Sequence, residues 1–459
     1  MSQTESMIPP VITGPVSGGE RGWAFGTPIE DLAARGYVME EYFLEGVARS
    51  YRAVAGTTTG PTGNWETEPG QTAAYKTRLY VVRPSDPAKF NGVLQVNWQN
   101  VTFNIDLGFP WGDEIFRGYA WAGVTTQKIG IDGVPGLSKG LAAWDPDRYG
   151  TLHHPGDAYS YDIYAQAAKA LLGTRQQGGV DPLAGLMPRT VVAVGSSQSA
   201  TRLGSYINIA HRYDRVFDAF YLLVHWGLCP PIEEIPLQAQ FARRPDGLRV
   251  ASSRISDRFE TPVLVLATEC EALDNYPVRQ ADSDYYRFWE IAGATHADPA
   301  YSIASDAIRL RDTGCKPPSV PNANVVDYSY VNDAGLRWLV RWARKEASPP
   351  QFPPLQIETE DNGELRIVRD ENGNATGGLR LPEVGAATGV HKGKNSGDPF
   401  ATLYGESHCF SNDDLRRVHG TRDQFLSAWN RTVDDLIATE MIRPAEAEQV
   451  RQRGLLVWP

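Results

Sequence analysis

The amino-acid sequence predicts an α/β fold, in which a mostly parallel central sheet is flanked by helices. Short runs of apolar and β-branched residues, such as Thr190–Val194 and Thr261–Leu266, have the composition of strands buried on both faces. The segment Asp162–Leu172 has apolar residues three or four positions apart, which is the spacing of a helix that packs on a sheet. Strand and helix patterns therefore alternate, as they do in α/β proteins.

Composition narrows the class of protein further. The chain has 459 residues, 42% hydrophobic and 22% charged, so it can bury a large core and exceeds the usual size of one domain. A formal net charge of −11 without any basic run argues against nucleic acid or an anionic membrane as a partner. The N-terminus lacks the pattern of a secretory signal, and no run approaches the about 18 apolar residues of a membrane span. We therefore expect a cytoplasmic protein, and a homo-oligomer stays open.

The four cysteines argue against a metal or disulfide framework. Cys229, Cys270, Cys315 and Cys409 are far apart and form no CxxC pair. Reduced thiols are the expectation, with one disulfide left open.

The first predicted strands are Tyr37–Tyr51 and Tyr75–Val82. Polar and apolar residues alternate in the second, which favours a half-buried antiparallel strand at the edge of the sheet. Asn91–Asn100 is the next predicted strand with its exit, and Arg117–Thr125 is a further buried strand preceded by a short helix.

The stretch from 130 to 156 is rich in glycine and proline, which predicts a long surface loop beside the functional site of the protein. His153, His154, Asp157 and Asp162 at its end are residue types that bind metal ions. Adjacent histidines on an irregular loop cannot easily face one ion, so a bracing role is favoured over a metal site.

The segment Arg189–Ala210 contains the strongest chemical signal. A buried strand ends at Val194, a helical pattern begins at Ala200, and Ser197 lies at the centre of a Gly-x-Ser-x-Ser turn between them. An α/β-hydrolase holds its nucleophilic serine on such a strained turn, which requires small residues two positions before and after it. The motif alone leaves open an ordinary Gly/Ser loop.

Two further segments supply the expected partners of the serine. Glu269 and Glu271 directly follow the strand Thr261–Leu266, and His296 lies on the loop that ends the next strand segment, Arg287–Asp298. Serine, acid and histidine thus occur in the chain order of α/β-hydrolases. A nearby insertion, 226–260, lies where these enzymes carry a lid over the pocket.

The chain resembles the bacterial family known as alpha/beta hydrolase domain proteins, within the serine hydrolases of the α/β-hydrolase superfamily. The stretches that carry the resemblance include NWQNVT, LHHPGDAYSYDI, VGSSQSATRLGSYINIAH and WEIAGATHAD. In that family the elbow reads Gly-x-Ser-Gln-Ser, which implies Ser197 as nucleophile. The acid stretch commonly resembles Thr-Glu-Thr-Asp, whereas this chain has Glu271 at the final position. Glu271 is the favoured acid, with Glu269 as rival and Asp274 third.

The sequence thus predicts a serine esterase that acts on a small-molecule ester without a metal or organic cofactor. His296, held by Glu271, would activate Ser197, and an acyl-enzyme would form. The oxyanion would meet the N–H of Gln198 and a donor from Trp98–Val101, assigned to Asn100. A lactonase, amidase or acyltransferase would carry the same triad, and a metal-dependent hydrolase or a noncatalytic binding protein are further alternatives.

The domain prediction is a hydrolase domain over residues 1–346 and a C-terminal extension over 347–459 packed on it. Asn332–Lys345 has the apolar face of a last helix against the sheet. Leu355–Val368 reads as a hairpin, and Phe425–Met441 reads as a helix.

Overall fold

The structure is a computed structural model that describes residues 9–173, 179–232, 235, 237–316, 319–396 and 401–458. The chain divides into two compact units at positions other than the predicted boundary after residue 346, which stays a prediction. The first unit comprises Met1–Trp111, Ile115–Leu222 and Leu228–Thr261. The second comprises Gly112–Glu114, Leu223–Gly227 and Pro262–Pro459.

The strands of the first unit form a sheet in the order β1-β2-β3-β5-β4-β8-β9 and a small hairpin of β6 and β7. The sheet pairs β4 in parallel with both β5 and β8, whereas β1, β2, β3 and β5 pair antiparallel in succession. The bounds are β1 Val11–Thr13, β2 Tyr37–Ala53, β3 Thr67–Pro84, β4 Val93–Trp98, β5 Ala120–Val124, β6 Gly133–Val134, β7 Ser138–Lys139, β8 Thr190–Ser196 and β9 Ala219–Leu223.

The longest helices of the first unit are α4 and α5, and each is almost entirely buried because alanine, glycine and serine let it pack closely. The predicted lid insertion contains α7, and its residues 233, 234 and 236 lie outside the described part of the chain. The bounds are α1 Lys128–Asp132, α2 Leu141–Trp144, α3 Pro146–Tyr149, α4 Ser160–Gly173, α5 Gln198–Ile209, α6 His211–Asp214 and α7 Leu237–Gln240.

Strand β3 is not the edge strand that its alternating pattern predicted. It lies between β2 and β5, and its residues from Thr77 to Val82 are buried on both faces. Arg78 is fully buried there because its guanidinium pairs with the carboxylates of Glu41 and Asp106. Two acidic partners from distant positions therefore allow a strand that looks half-polar to lie inside the sheet.

We expect Arg78→Met to lower the free energy of unfolding by about 3–5 kcal/mol, because it removes the cation that two buried carboxylates share and leaves Asp106 without one. Glu41 would keep Arg148 and Tyr149, whereas Asp106 would keep only the Thr125 hydroxyl among its present side-chain partners. Urea unfolding of the variant and the natural chain measures the difference.

Arg52→Met is the matched control, since Arg52 also pairs with a glutamate on a neighbouring strand but its side chain is 70% exposed. Its expected cost is at most about 1 kcal/mol. Equal effects of the two substitutions would contradict a structural role of the buried network.

The stretch from 130 to 156 is not a long surface loop. It contains α1 in part, the β6–β7 hairpin, α2 and α3, and several of its apolar side chains join a buried cluster. The short helix predicted before β5 is likewise absent from the described chain, where residues 113–118 form turns. The buried members of the cluster are Phe25, Phe43, Ile105, Ile131, Leu141, Trp144, Tyr149 and Leu152.

In the second unit, β10 and β11 pair in parallel, which together with the parallel pairs of β4 confirms the predicted α/β class. The predicted hairpin is present as β12 and β13, and the two predicted helices are α10 and α13. A further hairpin, β14–β15, was not predicted. The strand bounds are β10 Val263–Thr268, β11 Tyr286–Ile291, β12 Ile357–Thr359, β13 Leu365–Ile367, β14 Gly389–Lys392 and β15 Glu406–Cys409.

The helices of the second unit begin mostly at side-chain caps or prolines; Asp298, for example, accepts the N–H groups of Ala300 and Tyr301 at the start of α9. Among the described residues, no helix has the length and hydropathy that crossing a membrane requires. The bounds are α8 Ala272–Asn275, α9 Pro299–Thr313, α10 Ser329–Ala343, α11 Pro382–Gly385, α12 Asn412–His419, α13 Arg422–Ala438 and α14 Pro444–Val457.

Candidate active site

Ser197 lies on the sharp turn between β8 and α5, in the first unit. Its backbone has φ +58° and ψ −122°, a conformation that a residue with a side chain rarely adopts. At Gly195 an added Cβ would lie 2.6 Å from the carbonyl oxygen of Ser199, so the turn requires glycine two positions before the serine. The strand, strained serine and helix have the local geometry of a nucleophile elbow.

Ser199 replaces the second glycine of the usual motif and stabilises the turn. Its hydroxyl accepts the Ser196 N–H at 2.9 Å and donates to the Ser196 carbonyl at 2.8 Å. The same carbonyl accepts a second hydrogen bond from the Asn100 side chain at 2.8 Å. The serine therefore contributes hydrogen bonds that glycine could not make.

The N–H of Asn100, which the sequence assigns as an oxyanion donor, has a hydrogen-bond partner in the same loop. It donates to the Leu107 carbonyl at 2.8 Å, in a bridge that also returns the Leu107 N–H to Asn100. The Asn100 side chain is also engaged, because its Oδ1 accepts the Thr102 N–H at 2.8 Å. Asn100 thus holds the loop after β4 in place, and its assignment as an oxyanion donor stays a prediction.

The N–H of Val101 makes a long hydrogen bond. It donates to the side-chain oxygen of Gln198 over 3.4 Å, which is long for a hydrogen bond. Gln198 itself is the first residue of α5, where backbone N–H groups have no acceptor within the helix. The first unit therefore contains two N–H groups, those of Val101 and Gln198, that are held weakly or have no acceptor within their helix.

In the second unit the structure brings His296 and Glu271 together. The Nδ1 atom of His296 is 2.6 Å from Oε1 of Glu271. The other carboxylate oxygen of Glu271 accepts the N–H of Thr268 at 2.7 Å and its hydroxyl at 2.8 Å. Because Glu271 is fully buried and Thr268 ends β10, the carboxylate is fixed against the sheet. This pair can hold the imidazole with a proton on Nδ1, which leaves Nε2 as the basic nitrogen.

The two rival acids face other groups. Glu269 accepts the guanidinium of Arg369 at 2.7 Å and the N–H groups of Gly293 and Gly393 at 3.0 and 3.2 Å. Asp274 lies 3.5 Å from the ammonium of Lys394. Of the three carboxylates that the sequence left open, Glu271 is the one hydrogen-bonded to His296.

The loop that carries His296 is braced on several sides. The Trp226 ring lies 5.0 Å from the imidazole, centroid to centroid. The Tyr328 hydroxyl donates to the His296 carbonyl at 3.0 Å. On the preceding residue, the Thr295 hydroxyl lies 3.0 and 2.8 Å from the carbonyls of Gly393 and Leu403. These contacts fix the position of the imidazole relative to its carboxylate.

Three of the four residues considered for a metal site, His154, Asp157 and Asp162, have protein partners for their side chains. His154 is buried between the Thr126 carbonyl and the Gly156 N–H, and burial lowers the pKa of its imidazole. Asp157 pairs with Arg202, and Asp162 accepts the N–H of Arg49. Within the described ranges, no group of three or more histidine, cysteine or acidic side chains is arranged to hold a metal ion. All four cysteines are described and are free.

Sequence reasoning missed several residues around these groups. Trp226 lies three positions after β9, and an aromatic residue near the end of a core strand was the available signal. Gln127 follows β5 in the same way. Arg369 had no local signal, because its partner Glu269 is 100 positions away.

A family model described as alpha/beta hydrolase domain matches residues 12–452. No curated protein matches the chain.

Several solved structures are similar to the chain at low identity. A protein described as a dienelactone hydrolase from Klebsiella pneumoniae subsp. pneumoniae has 11% identity and a TM-score of 0.30, over 66% of this chain and 99% of its own. Oligopeptidase B from Leishmania major has 11% identity and a TM-score of 0.31, over 71% of this chain and 42% of its own. The esterase Est22 has 10% identity and a TM-score of 0.30, over 61% of this chain and 78% of its own. On the family match, the chain belongs to the alpha/beta hydrolase domain family.

Proposed function

We propose that the protein is a serine hydrolase that cleaves a carboxylic ester through an acyl-enzyme. The observation that carries the proposal is the buried hydrogen bond of 2.6 Å between His296 and Glu271. A carboxylate on Nδ1 of a histidine fixes the tautomer that a serine nucleophile needs from its base. The strained turn at Ser197, in a chain of this hydrolase family, supplies that nucleophile.

In the first step, the Ser197 hydroxyl attacks the ester carbonyl while Nε2 of His296 takes its proton. The negative charge that develops on the carbonyl oxygen is met by the N–H groups of Gln198 and Val101. Loss of one such donor typically raises the barrier by about 3–4 kcal/mol. The imidazolium, stabilised by Glu271, then protonates the leaving alcohol, and an acyl group remains on the serine oxygen.

In the second step, water replaces the alcohol. His296 takes a proton from the attacking water, the tetrahedral intermediate collapses, and the acid is released as the serine oxygen regains its proton. Ser197, His296 and Glu271 suffice for both steps without a metal ion. Lactones and amides can react through the same two steps. The ester is proposed as the acyl donor that the enzyme prefers.

A fluorophosphonate probe tests the proposed nucleophile. We expect the protein to gain one covalent phosphonyl group, located at Ser197 by peptide mass spectrometry, together with loss of turnover of a p-nitrophenyl ester. A parallel panel of esters, lactones and amides, varied separately in acyl and leaving group, identifies the preferred acyl donor. An unlabelled protein without ester turnover would contradict the proposal, as would labelling at a different residue.

A further inference from the structure

A chain of buried polar side chains runs away from the Val101 N–H through the first unit. The side-chain oxygen of Gln198 accepts that N–H at 3.4 Å, and its amide nitrogen donates to Oε1 of Gln127 at 2.8 Å. The amide nitrogen of Gln127 donates in turn to Oδ2 of Asp157 at 3.1 Å. Gln127 and Gln198 are 2% and 8% exposed. We call the sequence Asp157, Gln127, Gln198 and Val101 the relay.

Asp157 sets the direction of the relay because an ionised carboxylate only accepts hydrogen bonds. Its Oδ1 accepts the Lys128 N–H at 2.9 Å, and its Oδ2 accepts the Arg202 guanidinium at 3.1 Å. Burial raises the pKa of the Asp157 carboxyl, but the Arg202 charge and the donated hydrogen bonds outweigh it and hold the pKa below its usual value. The carboxylate therefore stays charged, and the NH₂ group of Gln127 must face it.

The orientation of Gln127 is confirmed at its other end. Its Oε1 accepts not only the Gln198 amide but also the Trp98 indole N–H, at 3.2 Å. A reversed Gln127 would place NH₂ against two donors and its oxygen against a carboxylate. Since Gln127 presents oxygen, Gln198 must present NH₂ to it, and the Gln198 oxygen is left facing the Val101 N–H.

We propose that Asp157 and Gln127 are positioning residues that, through the Gln198 side chain, align the Val101 N–H with the Gln198 N–H as a pair of oxyanion donors. This inference rests on the proposed function. The long bond between Gln198 and Val101 is weak enough to be exchanged or shared when charge develops on the substrate oxygen. The relay then stabilises the transition state, whereas it contributes little to the binding of the substrate carbonyl before attack.

Glutamate in place of Gln127 keeps the size of the side chain and breaks the relay at alkaline pH, where both carboxyl groups are ionised. Gln127→Glu places a second carboxylate against Asp157, and we expect kcat for a p-nitrophenyl ester to fall about 10- to 100-fold. This is less than the 10²- to 10³-fold of a complete loss of one donor, because Val101 is misaligned rather than removed. KM should change less than about threefold, and the affinity for a boronic acid that mimics the tetrahedral intermediate should fall in parallel with kcat.

A second substitution should restore the relay. In the double variant Gln127→Glu with Asp157→Asn, the asparagine NH₂ donates to one oxygen of the new glutamate, whose other oxygen still accepts from Trp98 and Gln198. The Arg202 guanidinium loses its acceptor on residue 157 and keeps the new glutamate as the nearby negative charge. The direction of every hydrogen bond toward Val101 is then as before, and we expect kcat within about threefold of the natural chain. Rescue of kcat by a second change distinguishes alignment from general damage to the fold.

Gln166→Glu is the matched control. Gln166 is a buried glutamine whose amide nitrogen donates to Asp162 at 2.7 Å, so the substitution creates the same pair of carboxylates outside the relay. It should lower the melting temperature while the folded fraction keeps its kcat. Gln198→Met is the alternative to Gln127→Glu if that variant does not fold, since it removes the relay's last acceptor and should lower kcat and boronic acid affinity together.

The outcomes separate this inference from the proposed function. A natural chain that neither reacts with the fluorophosphonate nor turns over esters overturns both. A natural chain that is labelled and active, combined with unchanged kcat in Gln127→Glu or with a loss that the double variant does not rescue, overturns the relay alone.

Discussion

Ser197→Ala is expected to lower kcat/KM for a p-nitrophenyl ester on the order of 10⁴- to 10⁶-fold. The substitution removes the atom that becomes acylated, so only the oxyanion donors and substrate binding would still accelerate hydrolysis. The fold should persist, because the positive φ of the turn is also open to a small alanine at a moderate cost. Steady-state kinetics and a thermal unfolding curve on the same preparation measure both effects.

Ser199→Ala is the control from the same turn. It removes a hydroxyl of the same type, whose two hydrogen bonds go to the Ser196 backbone. The expected cost is about 1–3 kcal/mol of folding free energy, with a much smaller loss of activity than at Ser197. Retained turnover in Ser197→Ala would remove Ser197 from the mechanism.

Glu271→Gln is expected to lower kcat/KM on the order of 10³- to 10⁴-fold. Both oxygens of Glu271 now accept hydrogen bonds, one from His296 and the other from Thr268. A glutamine must turn its NH₂ group toward one of these partners, which favours the wrong imidazole tautomer and removes the charge that stabilises the imidazolium. Activity measured from pH 5 to 10 ensures that the loss is not a shifted optimum.

Glu269→Gln tests the choice between the neighbouring acids. Glu269 accepts hydrogen bonds from the N–H groups of Arg369, Gly293 and Gly393. The NH₂ group of a glutamine at this position would face one of these donors and would have no acceptor there. We expect a loss of about 1–3 kcal/mol in stability and a smaller loss of kcat than at Glu271. The reverse ranking of the two variants in kcat/KM would assign the acid to Glu269.

The sequence predicted the elements that are defined by local pattern. The strand, turn and helix around Ser197 lie where the sequence predicted them. The motif itself indicates the turn, because the chain reverses so sharply that Gly195 has no room for a side chain. Helix α10 likewise follows from its regular apolar face, and the β12–β13 hairpin from its turn residues.

The elements that the sequence predicted wrongly depend on contacts between residues that are far apart in the chain. The alternation in β3 suggested an edge because the cost of burying Arg78 is offset only by Glu41 and Asp106, which are far from it in the chain. The stretch from 130 to 156 reads as a loop because short helices bury apolar residues at irregular intervals. For the acid, the sequence favoured Glu271 over Glu269 and Asp274, and the structure adds the hydrogen bond between His296 and Glu271, which no local pattern shows.

The histidine loop takes much of its support from residues beyond position 346. Gly393 and Leu403 hold Thr295, and Leu403 also accepts the N–H of Ala297. A chain shortened to residues 1–346 would keep Ser197, His296 and Glu271 but would lose the contacts that hold the loop of His296. Any shortened version of the protein must therefore retain the last quarter of the chain or replace the contacts that it makes.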